Sequence, residues 1–234
     1  MSAILRGSVC GCNAYLLAHM LQMLAVKRRA GTKITWTDQC GETIEPITTK
    51  TWWAYLGIAI FLLSVAAWFT KSPVNLVFLT LEVALFLAVS ITDIKYRIIP
   101  NGICLLIMII KVADLFAPYL VGTTPAIWDN LIMSGVGLAM CFLVFFGGGI
   151  LTGGKVGMGD VKLSMAIGFM LGWRQALIAI VLMGALMIPF VFTMPGVNIK
   201  NRFKQLVPMG PPFSMAAMLV LVASYTPLIQ YMRF

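Results

Sequence analysis

The chain has 234 residues, 60% of them hydrophobic and only 11% charged, with a mean hydropathy of +0.95. A soluble globular domain is roughly 45–50% apolar and about 25% charged, so the composition excludes a soluble enzyme or binding module and describes an integral membrane protein. The net charge of +9 does not indicate a nucleic-acid partner, because Lys and Arg of a membrane chain are loop charges that set orientation and meet anionic lipid headgroups.

The apolar runs are continuous and lack the alternation of a membrane barrel. Lipid-facing backbone must then satisfy itself within helices, which predicts an all-α polytopic membrane helix bundle. Eight runs read as transmembrane helices: Ser8–Val26, Trp52–Phe69, Val74–Thr92, Ile99–Pro118, Leu131–Leu151, Val161–Trp173, Gln175–Thr193 and Pro212–Met232. Most approach the roughly 20 residues that a spanning helix needs. The first carries Asn13, His19 and Gln22, and the sixth is short and meets the seventh across a tight Gly172-Trp173-Arg174 turn. The opening residues do not form a cleavable signal peptide, since the run after them lacks a small-residue cleavage site.

Residues 1–51 read as a first span plus the longest polar loop, and residues 52–234 as the main membrane domain. Basic residues concentrate in Lys27–Lys50, at Lys95 and Arg97, at Lys155 and Lys162, and in Lys200–Lys204. The positive-inside bias places these loops in the cytoplasm and both termini outside. The chain is therefore expected to be a multi-pass protein of the cytoplasmic (inner) membrane. Gly147-Gly148-Gly149 and Gly153-Gly154 predict a flexible approach to the sixth span.

Ionisable side chains at the edge of hydrocarbon are costly and mark functional candidates. Asp93 ends the third span and Asp160 precedes the sixth, so both lie at the cytoplasmic face, where a carboxylate pair could perform acid–base hydrolysis. An acid at a helix C-terminus opposes the dipole, so Asp93 gains little from a purely structural role. Asp160 in Gly157-Met158-Gly159-Asp160-Val161-Lys162 suits an N-cap, while Gly157 and Gly159 leave bare backbone that an extended peptide can approach. Pro100-Asn101 reads as a helix start with Pro in the first turn, and Pro208-Met209-Gly210-Pro211-Pro212 as a rigid break before the last span.

The other acids have local readings. Asp129 is expected at an N-cap, Asp114 pairs with Lys111 three residues earlier, and Asp38, Glu42 and Glu45 are solvated in the first loop. Glu82 lies mid-span with no second acid placed at its depth, and reads as a buried polar residue held by a structural hydrogen bond. Cys104 and Cys141 sit inside apolar runs as small packing residues.

Asp93 with the trailing Ile98-Ile99-Pro100-Asn101, and Gly157-Met158-Gly159-Asp160-Val161-Lys162, resemble the two signature segments of the type IV prepilin peptidases, members of the GxGD membrane aspartyl proteases. Pro208–Phe213 resembles the family's Pro/Gly approach to the last helix, and Gly7-Ser8 with Asn13 resembles its N-terminal segment more weakly. The resemblance implies removal of a short basic leader from prepilin or pseudopilin precursors at the cytoplasmic membrane face. It implies Asp93 and Asp160 as the catalytic pair, with Gly157, Gly159, Lys162, Pro100 and Asn101 shaping the site. Two close carboxylates share a proton: one takes a proton from the attacking water, and the other hydrogen-bonds the scissile carbonyl.

The proteolytic step needs no metal or cofactor. Many bacterial members hold zinc on two Cys-x-x-Cys pairs in the first loop, but this loop has only Cys40, and Cys10-Gly11-Cys12 lies in the first span, so no structural zinc is expected. The family also methylates the new N-terminus with S-adenosylmethionine, an activity associated with the N-terminal region that is degenerate here. Two other function classes fit the composition. A small ion-coupled transporter would use Glu82 as coupling acid and Gly147–Gly154 as a broken helix, and a non-catalytic assembly factor would tolerate loss of both aspartates.

Overall fold

The computed structural model describes residues 49–70, 72–96, 99–120, 127–153, 156–193 and 208–225. Within them the chain forms six helices: α1 (Thr49–Phe69), α2 (Pro73–Tyr96), α3 (Asn101–Leu120), α4 (Ile127–Leu151), α5 (Met158–Thr193) and α6 (Gly210–Ala223). There is no strand among the described residues. Four stretches are long and apolar enough to cross a membrane: Pro73–Ile94, Asn101–Pro118, Ile127–Leu151 and Met158–Phe190. The expected all-helical class is therefore observed among the described residues, with four stretches of spanning length where eight spans were expected of the whole chain. The predicted first span, the loop after it and the Lys200–Lys204 loop lie outside the described residues.

Several boundaries differ from the sequence reading. The turn expected between the sixth and seventh spans is present: α5 consists of two helical stretches that meet at Gly172, whose backbone (φ 73, ψ 166) leaves the helical region. A residue with a Cβ pays for a left-handed φ, and glycine does not. The triplet Gly147–Gly149, expected as a flexible approach, instead continues α4 to Leu151. Each glycine costs a helix about 1 kcal/mol, but an unpaired backbone amide in hydrocarbon costs more. The helix ends only at Gly153, whose φ of 72 supplies the turn and whose N–H donates to the Ile150 carbonyl at 3.1 Å. Asp129 falls in the first turn of α4 rather than at its cap. Pro100 stands just outside α3, and its carbonyl accepts from the N–H groups of Ile103 (3.0 Å) and Cys104 (3.4 Å).

The centre of the bundle is α2, of whose spanning window 67% is buried, against 28% for α3 and 22% for α4 and for α5. Its apolar core residues, among them Leu79, Val83, Phe86 and Leu87, are fully enclosed. The most extensive helix pairing is α4 with α5; α6 packs on both α5 and α2, and α3 packs on α5 and α2. The α4–α5 crossing is built on two glycines. A Cβ on Gly137 would collide with the Gly168 carbonyl oxygen, and one on Gly168 would meet the Gly137 carbonyl and lie 2.7 Å from Cys141 Sγ. Small residues let membrane helices approach backbone to backbone, where close packing supplies the attraction that lipid does not. Cys104 and Cys141 are buried free thiols in this core, as expected.

Candidate functional site

Asp93 sits in the last turn of α2 and is 5% exposed. Its Oδ2 accepts a hydrogen bond from the backbone N–H of Gly210 at 2.9 Å. The local sequence explains this bond. The first amides of a helix have no intrahelical acceptor, and Pro211 and Pro212 have no amide hydrogen. Among the first three residues of α6, Gly210 alone can donate. The positive end of α6 also offsets the unfavourable placement of a carboxylate at the C-terminus of α2. The fit has no spare room: a Cβ on Gly210 would lie 2.6 Å from Asp93 Oδ2 and 2.9 Å from its Cβ and Cγ. One turn into α6, Phe213 stacks on Phe145 of α4 with centroids 5.2 Å apart, fixing the start of the helix against the core.

Asp160 is the third residue of α5 and is half-buried. It was expected as an N-cap, but the structure gives that position to Gly157. The Gly157 carbonyl accepts the N–H of Asp160 (3.0 Å) and of Val161 (3.2 Å). The Asp160 carboxylate lies beside the exposed Gly157, where a Cβ would stand 3.1 Å from Oδ2. Gly159 faces Ile99, to which a Cβ would come within 3.5 Å. Lys162 donates from Nζ to Asn101 Oδ1 at 3.3 Å, linking the starts of α5 and α3.

These contacts gather the predicted residues at one end of the bundle. Ile99 lies between the end of α2 and the start of α3, so its contact with Gly159 brings the start of α5 to the end of α2. Asp93, Pro100, Asn101, Gly157, Gly159, Asp160 and Lys162 all belong to that end, and the start of α6 joins them through Gly210. The two carboxylates are carried by different helices, Asp93 by α2 and Asp160 by α5. Gly210 is the site residue that the sequence reading missed. The signal was present in Pro208-Met209-Gly210-Pro211-Pro212, a lone amide ahead of two prolines, but its acceptor lies on another helix.

Glu82 stands apart, about 16 Å along α2 from Asp93 at 1.5 Å per residue. It is 2% exposed and lines a cavity of about 390 Å³ at the opposite end, with Lys111, Asp114, Arg174 and Gln175 also in its walls. The expected Lys111–Asp114 pair is present at 3.6 Å. Asp114 lines the same cavity as Glu82, from α3. Among the described residues, no group of three or more His, Cys, Asp or Glu side chains could hold a metal ion. Cys10, Cys12 and Cys40 lie outside those residues.

Residues 80–192 match the type IV leader peptidase family, a stretch that includes Glu82, Asp93 and Asp160. No curated protein and no solved structure matches the chain. Residues 80–192, which carry both aspartates and the glycines around the second, are thus the part of the chain that is similar to the type IV leader peptidase family.

Proposed function

We propose that the protein is an aspartic endopeptidase of the cytoplasmic membrane that removes the short basic leader from type IV prepilin-like or pseudopilin precursors. The observation that carries this reading is the gathering of Asp93 and Asp160 at one bundle end, within the segment that matches the leader peptidases. In the proposed reaction the ionised member of the pair takes a proton from water, which attacks the scissile carbonyl, and the protonated member hydrogen-bonds the carbonyl oxygen and then serves the leaving amine. The Gly210 N–H, on Asp93 Oδ2, orients that carboxylate.

Gly157 and Gly159 leave room for an extended substrate backbone, and Lys162 with Asn101 fixes the opening between α5 and α3. The full chain has eight spans in this reading, with the site on the cytoplasmic side, residues 1–51 forming a separate N-terminal region and residues 52–234 the peptidase domain. The step uses no metal or cofactor. N-methylation of the new N-terminus with S-adenosylmethionine is a separate activity that the cleavage step does not require, no zinc site in the first loop is proposed, and the surroundings are membrane lipid rather than nucleic acid. The family match favours this reading over a transporter with Glu82 as its coupling acid.

Co-expression of the chain with a pilin precursor tests the proposal. A mobility shift and a product mass corresponding to loss of the leader is the expected result, and the same mass reads whether a methyl group has been added. An unprocessed precursor beside a protein that accumulates in the membrane would refute it.

A further inference from the structure

The cavity that Glu82 lines belongs to no part of the peptidase reading. It lies at the far end of the bundle, between the start of α2, the ends of α3 and α6, the start of α4 and the break in α5. We propose that it binds the headgroup of a zwitterionic phospholipid, with the ammonium against Glu82 and Asp114 and the phosphate against Arg174 and Lys111.

Size, charge and level support this ligand class. A volume of about 390 Å³ would hold roughly a dozen waters at about 30 Å³ each, and falls in the range of small-molecule sites. The walls carry two acids and two bases among the described residues. Charges in a bundle interior are expensive unless paired, and a ligand of a single sign would unbalance the set. A ligand bearing both signs a few ångströms apart leaves it neutral. The cavity runs from Asn75 to Glu82 along α2, a depth of about 10 Å at 1.5 Å per residue.

Tryptophan rings mark its level in the bilayer. Trp128 is 76% exposed in the first turn of α4, and Trp173 lines the cavity at the α5 break with the Arg174 guanidinium 5.3 Å from its ring centroid. Such rings collect where headgroups meet acyl chains. Phe116 on α3 and Ile132 on α4 are exposed neighbours of the cavity residues Leu115 and Met133. The two helices pack on α5 and touch each other little. Their outward apolar faces supply the surface on which acyl chains of a bound lipid would lie, which a soluble zwitterion would not use.

The inference does not depend on the peptidase reading, and its test keeps the two separate. The full chain in detergent is titrated with phosphatidylethanolamine, phosphatidylglycerol or free phosphoethanolamine, and binding is read by native mass spectrometry. One phosphatidylethanolamine per chain is expected, at least about tenfold tighter than phosphatidylglycerol and than phosphoethanolamine. Arg174→Gln and Glu82→Gln should each weaken it about tenfold or more, the loss of one charge-assisted hydrogen bond. Arg174 is exposed, so its variant carries the test if the buried Glu82 variant does not accumulate. Asp93→Asn should bind lipid as the parent does, even where it no longer cleaves a precursor. Equal binding of phosphatidylglycerol, equal binding of phosphoethanolamine, or undiminished binding by Arg174→Gln would overturn the proposal. So would a precursor peptide, rather than the lipid, showing the Arg174 dependence.

Discussion

At the scale of single residues, the account turns on one amide. Gly210 donates to Asp93 and has no room for a side chain. Gly210→Ala should therefore displace the carboxylate by a fraction of an ångström to an ångström. Misplacement of that order costs up to about 100-fold in rate, so precursor cleavage should fall by about 10–100-fold while the protein still accumulates; undiminished initial rates would remove Gly210 from the site. Asn101→Ala should cost far less. Its bond to Lys162 is exposed and 3.3 Å long, and such bonds contribute about 1 kcal/mol or less, so kcat/KM should drop no more than about fivefold in the same cleavage assay.

The two aspartates stood out in the sequence as candidates, because an acid beside hydrocarbon has few inexpensive explanations. Gly210 was not, because a proline-flanked glycine reads equally well as punctuation, and only the packing of α6 on α2 reveals what its amide meets. Asp114 was legible as the partner of Lys111 but not as part of the wall of the Glu82 cavity, for the same reason.

At the scale of elements, hydropathy located the apolar segments but not how they end. The Gly147–Gly149 triplet looked like a hinge and is helix, because a spanning segment cannot leave its amides bare, whereas Gly172 was legible as a turn and is where two helical stretches meet. Gly137 and Gly168 carried no signal at all, since nothing in either helix alone shows that the backbones touch. Gly137→Ala should force α4 and α5 apart. Overpacking of this kind costs about 1–3 kcal/mol, read as a lower midpoint in a thermal unfolding scan in detergent, whereas Gly135→Ala, which meets open space on the same helix, should leave the midpoint unchanged or raise it. Equal midpoints for the two variants would show that the crossing does not set stability.

At the scale of the whole molecule, the bundle has two polar ends with an apolar core between them. One end holds the aspartates and belongs to the segment that matches the leader peptidases; the other holds the Glu82 cavity. The central claim is that Asp93 and Asp160 act as one catalytic unit. Groups that act together are not additive: removing either costs nearly as much as removing both. The most direct measurement is the initial rate of precursor cleavage by Asp93→Asn, Asp160→Asn and the double variant, each reconstituted at equal amounts. The account predicts that each single variant loses essentially all cleavage and that the double variant is no worse. Retention of cleavage by either single variant, or losses that multiply in the double, would contradict it.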